Sequence, residues 1–392
     1  MILLSTTLKA DEIFDGWRKE LIQQAIQEGI SPIVAEEVLT QAKLLPKVIA
    51  LDRAQPEFMT SFSDYVGKRV TANQISRGID MQQRYATMFN DVERRYGIPQ
   101  AILLAFWGME TNYGANQGHF NTISALLTLA YEGRRAEFFR QQLFDAMRIL
   151  EARHISMQEM RGSWAGAMGH MQFMPSTFLK YGVDVTSDGK IDVWRTLPDA
   201  IVSAANYLAS VGWHHREPVA IEVSLPETFP WQEAQLQKRK TIREWDALKV
   251  ARIDGAVFVD KDTKTAIVLP QGWQGPAFMV FDNFYTLMDW NRSVNYALSV
   301  SLLAQRINES NISNIRYEGE RVALTLDSMR SLQEALNQLG FEAGQVDGFP
   351  GVQTQMAIRA YQQSYGLKAD GYPNPFLLKH IEQNKELASK TE

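Results

Sequence analysis

The stretch AILLAFWGMETNYG, residues 101–114, places one carboxylate near the end of an otherwise apolar run and closes on a glycine. Pro99 can open a helix through this run. Helical spacing then puts Ile102, Phe106 and Glu110 on one face, so Glu110 points where the core points. Burial raises the pKa of a carboxyl group, and the negative end of the helix dipole acts in the same direction.

Two interpretations of Glu110 follow from this pattern. A carboxyl group that keeps its proton near neutral pH suits a general acid, which must protonate a poor leaving group such as a glycosidic oxygen. Alternatively, Glu110 is solvated at the helix end or pairs with an arginine such as Arg134 or Arg135. The stretch alone leaves both interpretations open.

The composition limits the classes of function. With 392 residues the chain exceeds one typical domain, so we expect a large unit and at least one smaller one. A net charge of -5 argues against a nucleic-acid groove, which normally shows a basic footprint. The sequence has no cysteine, which excludes disulfides, zinc thiolates and a thiol nucleophile.

The pattern of apolar residues changes along the chain. It is helical from about residue 12 to 150, and it becomes glycine-rich and irregular over 162–192, which indicates close approaches of the backbone. Within 219–281 the segments AIEVSLP, GAVFV, TAIVLP and AFMVF predict short strands of a small β element. Helix resumes after this element.

The C-terminal part forms a separate pattern. A polar stretch predicts a linker over 309–325. Beyond it, SMRSLQEALNQLGF and TQMAIRAYQQSYGL are amphipathic, and the turns VDGFPG and ADGYPN share Asp, Gly, an aromatic residue and Pro. We therefore expect a catalytic domain over 1–308 and a small helical module over 326–382, which acts as a tether.

Five segments occur in one order over about residues 80 to 306: WGMETNYG, AYEGRRAEFF, GSWAGAMGHMQFMPSTFLKYGVD, AANYLASVGW and WNRSVNYAL. Together they closely resemble the motifs of the membrane-bound lytic murein transglycosylase B family. The resemblance implies a mainly α (α+β) fold with a lysozyme-like α core, extra N-terminal helices and a small β element. The C-terminal module resembles a three-helix peptidoglycan-binding domain.

The resemblance also implies a reaction, cleavage of the MurNAc to GlcNAc β-1,4 bond of peptidoglycan. In that family one Glu is the sole acid and base, and the motif puts this role on Glu110. It would protonate the leaving oxygen and then deprotonate the C6 hydroxyl of muramic acid, which closes a 1,6-anhydro ring without water. Assistance by the substrate's N-acetyl group removes the need for a second carboxylate.

The same matching gives candidate substrate-binding residues, which are Ser163, Gln172, Tyr207, Asn291, Tyr296, Arg134 and Arg135. Amide and hydroxyl groups suit sugar hydroxyls, and the arginines suit peptide or lactyl carboxylates. Ordinary packing is the alternative for the first five, and a solvated surface position is the alternative for the arginines.

The segment DVTSDGKID, residues 184–192, resembles the start of a calcium loop. Its candidate ligands are Asp184, Thr186, Asp188 and Lys190, and the resemblance to the transglycosylase B family implies Asp199 as the later Asp that closes the loop. Arg195 stands where such a loop usually has Glu, and Asp199 also fits a capping box after Thr196. We expect no cofactor to be required and calcium only as a structural ion. His170, His214 and His215 show no zinc spacing, so we expect them to be structural or solvated.

The sequence therefore favours a lytic transglycosylase that binds peptidoglycan strands, acts as a monomer and has other cell-wall enzymes as candidate partners. Because peptidoglycan lies outside the cytoplasm, we expect export to the periplasm, with the signal absent from the given sequence. The alternatives are a hydrolytic muramidase, a wall-binding scaffold without turnover, and a calcium-regulated structural protein.

Overall fold

The computed structural model describes residues 2–54, 60–313, 315, 317 and 323–388. Contacts divide the chain into two compact units. Unit 1 comprises Met1–Gln55 and Met81–Ser210, and unit 2 comprises Pro56–Asp80 and Val211–Glu392. The predicted linker, residues 309–325, lies partly outside the described residues.

Helices make up most of the described chain, as predicted. Their bounds are α1 (Ile2–Gln27), α2 (Pro32–Gln41), α3 (Pro46–Ala54), α4 (Phe62–Arg69), α5 (Ala72–Arg84), α6 (Ala86–Tyr96), α7 (Gln100–Thr111), α8 (Thr122–Glu132), α9 (Ala136–Glu151), α10 (Pro175–Tyr181), α11 (Leu197–Ser210), α12 (Ile242–Ala247), α13 (Asp282–Trp290), α14 (Val294–Asn308), α15 (Leu326–Gln338), α16 (Val352–Ser364) and α17 (Pro375–Ala388). Among the described residues, no helix is long and apolar enough to cross a membrane.

Strands are short and form two sheets. In unit 1, β1 (Phe120–Asn121) pairs antiparallel with β2 (Arg161–Gly162). In unit 2, the strands are β3 (Ala220–Ser224), β4 (Lys240–Thr241), β5 (Ala251–Arg252), β6 (Lys264–Val268) and β7 (Ala277–Val280). They form an antiparallel sheet in the order β4-β6-β7-β3-β5, which is the β element expected within 219–281.

One predicted strand of this element, GAVFV at 255–259, is wrong. The segment is irregular, and the side chains of Val257 and Val259 are 75% and 98% exposed. Asp254 accepts the N–H of Ala256 at 3.0 Å and also binds the guanidinium of Arg252. This local turn at Asp254 takes the backbone groups that a strand would use, so the apolar run does not join the sheet.

In unit 1, α7 is buried on all sides. Its residues from Ala101 to Met109 are buried, as is Thr111, while Glu110 is half-buried. A helix that is apolar all round lies inside a protein rather than on its surface. Helices α6 and α11 contact α7, and α8 and α9 pack against each other with Leu126 and Leu143 fully buried. The helix that carries Glu110 is therefore a rigid central element.

The C-terminal module packs α15 to α17 around a core that contains Leu332, Leu336, Ile358, Tyr361 and Ile381. Its two predicted turns are built alike, each held by a glutamine from a helix. Such a buried glutamine fixes a turn with both ends of its amide. The matching bonds are Gln333 Nε2 to Asp347 (3.0 Å), Gly348 N to Gln333 Oε1 (2.8 Å), Gln362 Nε2 to Asp370 (2.7 Å) and Gly371 N to Gln362 Oε1 (2.8 Å).

The same module contacts the β element of unit 2. The Lys368 ammonium lies 3.5 Å from the centroid of the Trp273 ring. The backbone N–H of Trp273 donates to the buried carboxylate of Asp370 at 2.9 Å. Arg359 donates to the carbonyl of Ala234 at 3.2 Å. These cation-π and hydrogen-bond contacts hold the module against the β element, which the prediction of a tether did not anticipate.

Candidate active site

The chain turns sharply directly after Glu110. Asn112, Tyr113 and Gly114 follow one another with φ of 51°, 57° and 82°, all in the left-handed region. The Asn112 N–H donates back to Gly108 at 2.9 Å, which ends α7. Non-glycine residues in this region cost free energy and persist only where packing fixes them. The residues that follow Glu110 are thus held in a defined turn.

This turn is tied to the glycine-rich segment by a close backbone approach. A Cβ on Gly118, whose φ is +92°, would lie 2.0 Å from the carbonyl oxygen of Gly162. Phe120 then pairs with Gly162 across β1 and β2. Gly166 and Gly169 are also confined, because a Cβ on Gly166 would lie 2.4 Å from Cδ2 of Leu126 and a Cβ on Gly169 would lie 2.4 Å from the backbone carbonyl oxygen of Val193. The predicted close approaches within 162–192 are confirmed at these positions.

Ser163 and Gln172 lie on this segment, in unit 1 with Glu110. The Ser163 hydroxyl accepts the Ala167 N–H at 3.1 Å, which closes a loop. The Gln172 Nε2 donates to the carbonyls of Gln117 (3.1 Å) and Gly169 (2.9 Å). Because both amide hydrogens of Gln172 are used, its Oε1 is the atom that can accept from a sugar hydroxyl.

The other predicted binding residues of unit 1 have clear protein partners. Tyr207 is 7% exposed, and its ring meets that of Tyr181 edge-on at 4.9 Å. Arg134 donates to the backbone carbonyl of Asp52 at 3.0 Å, and its Nε lies 3.6 Å from the Asp52 carboxylate. Arg135 lies over two phenylalanine rings of α9. Arg134 is thus occupied structurally, which weakens its predicted role in substrate binding.

Asn291 and Tyr296 belong to unit 2. Asn291 ends α13 and is half-buried, and its carbonyl accepts the Ser293 N–H at 2.7 Å. Tyr296 is 2% exposed, and its N–H donates to the Ser293 hydroxyl at 3.2 Å in the first turn of α14. Both residues therefore border the short connection between two helices.

The predicted calcium loop is formed by backbone bonds to its acidic residues. The Asp184 carboxylate accepts N–H groups from Ser187 (2.7 Å) and Gly189 (2.9 Å), and Asp188 accepts the Lys190 N–H at 2.9 Å. Desolvation raises the pKa of Asp184, but the bonds from Gly189 and Ser187 outweigh it and lower the pKa overall. The loop is exposed, and a cation could reach these oxygens.

Asp199 closes the loop from α11. It is 1% exposed, and its two oxygens accept the N–H groups of Val185 (3.0 Å) and Asp192 (2.9 Å). Because both oxygens of Asp199 accept N–H groups of the loop, Asp199 stabilises the loop and does not form a capping box with Thr196. Burial raises the pKa of Asp199, and nearby Asp184 and Asp188 add to the rise. A bound cation would offset this repulsion.

The donor set fits calcium only in part. Its atoms are hard oxygens, as calcium requires. Among the described residues, however, only His214, Glu217 and Asp282 of unit 2 bring three potential ligand atoms within 4.8 Å of one another. In this structure the carboxylate oxygens of Asp184, Asp188 and Asp199 do not all lie within that distance of one another, so the loop would have to contract around a calcium ion.

Two family matches cover most of the chain. Residues 13–305 match the transglycosylase SLT domain, and residues 325–381 match a putative peptidoglycan binding domain. The chain belongs to the transglycosylase SLT domain family. The match confirms the predicted family and the mainly α, lysozyme-like fold with a C-terminal binding module. It also confirms the class of enzyme, a lytic murein transglycosylase.

Three relatives of the SLT domain family illustrate the similarity. SltB3 from Pseudomonas aeruginosa, solved in complex with NAG-anhNAM-pentapeptide, is 38% identical with a TM-score of 0.89 over 94% of this chain and 99% of that one. Membrane-bound lytic murein transglycosylase B of Escherichia coli K12 is 29% identical over 69% of this chain and 77% of its own length. Escherichia coli Slt35, solved in complex with calcium, is 27% identical with a TM-score of 0.66 over 76% and 94%.

The structure brings His170 against the helix that carries Glu110, a contact that sequence reasoning did not predict. His170, expected to be structural or solvated, is half-buried and bonded to Trp107, three residues before Glu110. Gln117 joins His170 to the Gln172 side chain. An indole at this helical spacing from Glu110 was the available sign, because a buried indole N–H needs an acceptor.

We predict that Gly118→Ala destabilises the transglycosylase far more than Gly29→Ala. Gly29 has nearly the same φ, +90°, but nothing within 4 Å of its missing Cβ, so it isolates the conformational cost. We expect Gly29→Ala to cost about 1 kcal/mol, which lowers Tm by roughly 2–4 °C, and Gly118→Ala to lower Tm at least twice as much. Calorimetry measures both values, and equal losses would show that the Gly118 to Gly162 approach is unimportant.

Proposed function

We propose that this enzyme cleaves the MurNAc to GlcNAc β-1,4 bond without water and leaves 1,6-anhydro-MurNAc ends, with Glu110 as acid and then base. The supporting observation is the position of Glu110. It is the single ionisable side chain of α7 and the half-buried residue of an otherwise buried run. SltB3, a relative, was solved with a ligand that contains an anhydro-muramoyl unit.

One carboxyl group is enough for the proposed chemistry, because Glu110 gives one proton to the leaving oxygen and then takes one from the C6 hydroxyl. Glu110 protonates the glycosidic oxygen, the C1–O bond breaks, and the acetamido oxygen of MurNAc bonds to C1. The Glu110 carboxylate then removes the proton from the C6 hydroxyl of the same sugar, and O6 displaces the acetamido oxygen from C1. Glu110 ends protonated, and no water enters the balance, in contrast to the two-carboxylate scheme.

The proposed contacts to the glycan follow from the groups that are available. Gln172 offers its Oε1, and the Ser163 hydroxyl can donate while its oxygen accepts from Ala167. Asn291 offers a half-buried amide, whereas the buried rings of Tyr207 and Tyr296 can contribute mainly their hydroxyl groups. Arg135 is the better candidate of the arginine pair for a peptide carboxylate, because Arg134 is bound to Asp52.

The domain bounds and the location are also proposals. We assign catalysis to 1–308, a linker to 309–325 and wall binding to 326–382, with support from the family matches at 13–305 and 325–381. We propose the periplasm as the location, because peptidoglycan lies outside the cytoplasm. Contacts between the module and the β element support a binding module that presents the wall in a fixed orientation.

We predict that Glu110→Gln loses at least about 100-fold in kcat, because a positioned general acid or base typically contributes 10²- to 10⁴-fold. Purified sacculi digested by the wild type should yield anhydro-muramoyl ends by mass spectrometry. The variant should still bind sacculi, and Glu20→Gln, an exposed glutamate on α1, should cut normally. Reducing muramic ends from the wild type would indicate a muramidase, and no release at all would indicate a scaffold.

We propose a weak structural calcium ion at residues 184–199, with the side chains of Asp184, Thr186, Asp188 and Asp199 and the backbone carbonyl of Lys190 as ligands. Slt35, a relative, was solved with calcium. The raised pKa of the buried Asp199 carboxyl is the supporting feature of this chain, since a cation would relieve the repulsion from Asp184 and Asp188. Nothing in the proposed reaction requires the ion.

We predict that millimolar calcium raises Tm by a few degrees relative to EDTA, as for a ligand that binds only the folded state. Asp188→Asn keeps the oxygen that accepts the Lys190 N–H but removes a charge, so the variant should lose most of this rise. Cleavage of sacculi should continue in EDTA. An unchanged Tm, or a full rise in Asp188→Asn, would remove the ion from this loop.

A further inference from the structure

We infer that His170 is a positioning residue that fixes the end of α7 on both sides of Glu110; this inference rests on the proposed role of Glu110. Trp107 lies three residues before Glu110 and Thr111 directly after it, and both bind His170. Residues three apart on a helix are neighbours on its surface, so Trp107 borders the catalytic position.

The first contact uses the imidazole ring. The Trp107 Nε1–H donates to Nδ1 of His170 at 3.0 Å, and the two rings meet edge-on at 5.6 Å. The Trp107 side chain is 3% exposed, and an indole nitrogen can only donate. Without the acceptor on His170 the indole N–H would be left unpaired away from water, which costs free energy or forces the ring to move.

The second contact uses the backbone of His170. Its carbonyl accepts from the Thr111 hydroxyl at 2.8 Å, and that hydroxyl oxygen accepts the Gly114 N–H at 2.9 Å. The N–H of His170 donates to the Val193 carbonyl at 2.9 Å, so the residue is itself held in place. His170 therefore connects the last residue of α7 and the following turn to the backbone at Val193.

The ring also occupies the space that Gly114 leaves open. A Cβ on Gly114 would lie 2.5 Å from Cε1 and 2.6 Å from Nδ1 of His170. On the preceding turn of α7, a Cβ on Gly108 would lie 2.8 Å from the Tyr113 hydroxyl. The two glycines let aromatic rings close on the helix end, so a shift of His170 would release the turn that follows Glu110.

The far edge of the imidazole leads to the proposed substrate contacts. Its Nε2 lies 3.3 Å from the side-chain amide of Gln117, which also contacts the Trp194 carbonyl at 3.0 Å. The Gln117 carbonyl accepts from Gln172. Burial lowers the pKa of His170, and Asp192 opposes this; the lowered pKa favours the neutral ring, whose Nδ1 accepts from Trp107. The ring thus links Trp107, which borders Glu110, to Gln117 and through it to Gln172.

Two substitutions separate the hydrogen bond from the packing. His170→Phe keeps a ring against Gly114 but has no acceptor for the indole, and Trp107→Phe keeps a ring but has no donor. Because a small misplacement of a catalytic group can cost up to about 100-fold in rate, we expect each variant to lower kcat by about 10- to 100-fold. KM on soluble glycan fragments should stay within about threefold.

The double variant Trp107→Phe with His170→Phe provides the decisive comparison. If the two residues act through their shared bond, the double variant should be within about threefold of the worse single variant. Independent effects would multiply and would overturn the assignment, as would a His170→Phe kcat within about twofold of the wild type. Trp245→Phe is the control, since it removes a buried indole bond to Thr265 in unit 2 and should leave kcat unchanged.

His170→Asn keeps the inference testable if His170→Phe does not fold. Its Oδ1 can replace Nδ1 as the acceptor, so we expect recovery of kcat to within about threefold of the wild type while Trp107→Phe stays slow. A loss in His170→Asn as deep as in Trp107→Phe would contradict the inference. If the wild type yields no anhydro ends, the proposed function is wrong, whatever the variants do. If the wild type gives anhydro ends but the single and double variants affect kcat independently, only the role of His170 is refuted.

Discussion

The close approach of Gly118 to Gly162 is the constraint on which the site in unit 1 depends. It leaves no room for a side chain and fixes the turn after Glu110 against the segment that carries Ser163 and Gln172. The left-handed residues of the turn cost free energy and are held by the packing around them, which includes the contacts of Thr111 and Gly114 with one another and with His170. A buried helix, a strained turn and a glycine-rich segment thus act as one rigid frame around one carboxyl group.

A single carboxyl group is a chemical limitation that the substrate can compensate. An enzyme with one carboxyl group needs a nucleophile from elsewhere. In the proposed reaction the acetamido and C6 hydroxyl groups of muramic acid supply the nucleophiles, and Glu110 is the proton acceptor. The frame then has to keep Glu110 in one place through two proton transfers. The proposed positioning role of His170 would meet this requirement through its side-chain and backbone bonds to the helix end.

Much of this organisation could be predicted from the sequence. Helical spacing predicted the helix α7, although Glu110 is half-buried in an otherwise buried run, and the glycines of 162–192 predicted close approaches, because both depend on local patterns. The strand predicted for GAVFV was wrong, because a turn at Asp254 binds the N–H of Ala256 in spite of the apolar residues that follow. Contacts between distant residues, such as Trp107 with His170 or Trp273 with Asp370, leave no periodic pattern and required the structure.

The fate of water tests the single-carboxylate chemistry most directly. Peptidoglycan digested in H₂¹⁸O should give muramoyl products without ¹⁸O at C1, because O6 of the same sugar replaces the leaving oxygen. Mass spectrometry of the released fragments measures this incorporation. One ¹⁸O atom at C1 of each new muramoyl end would contradict the proposed reaction and would show that water is the nucleophile.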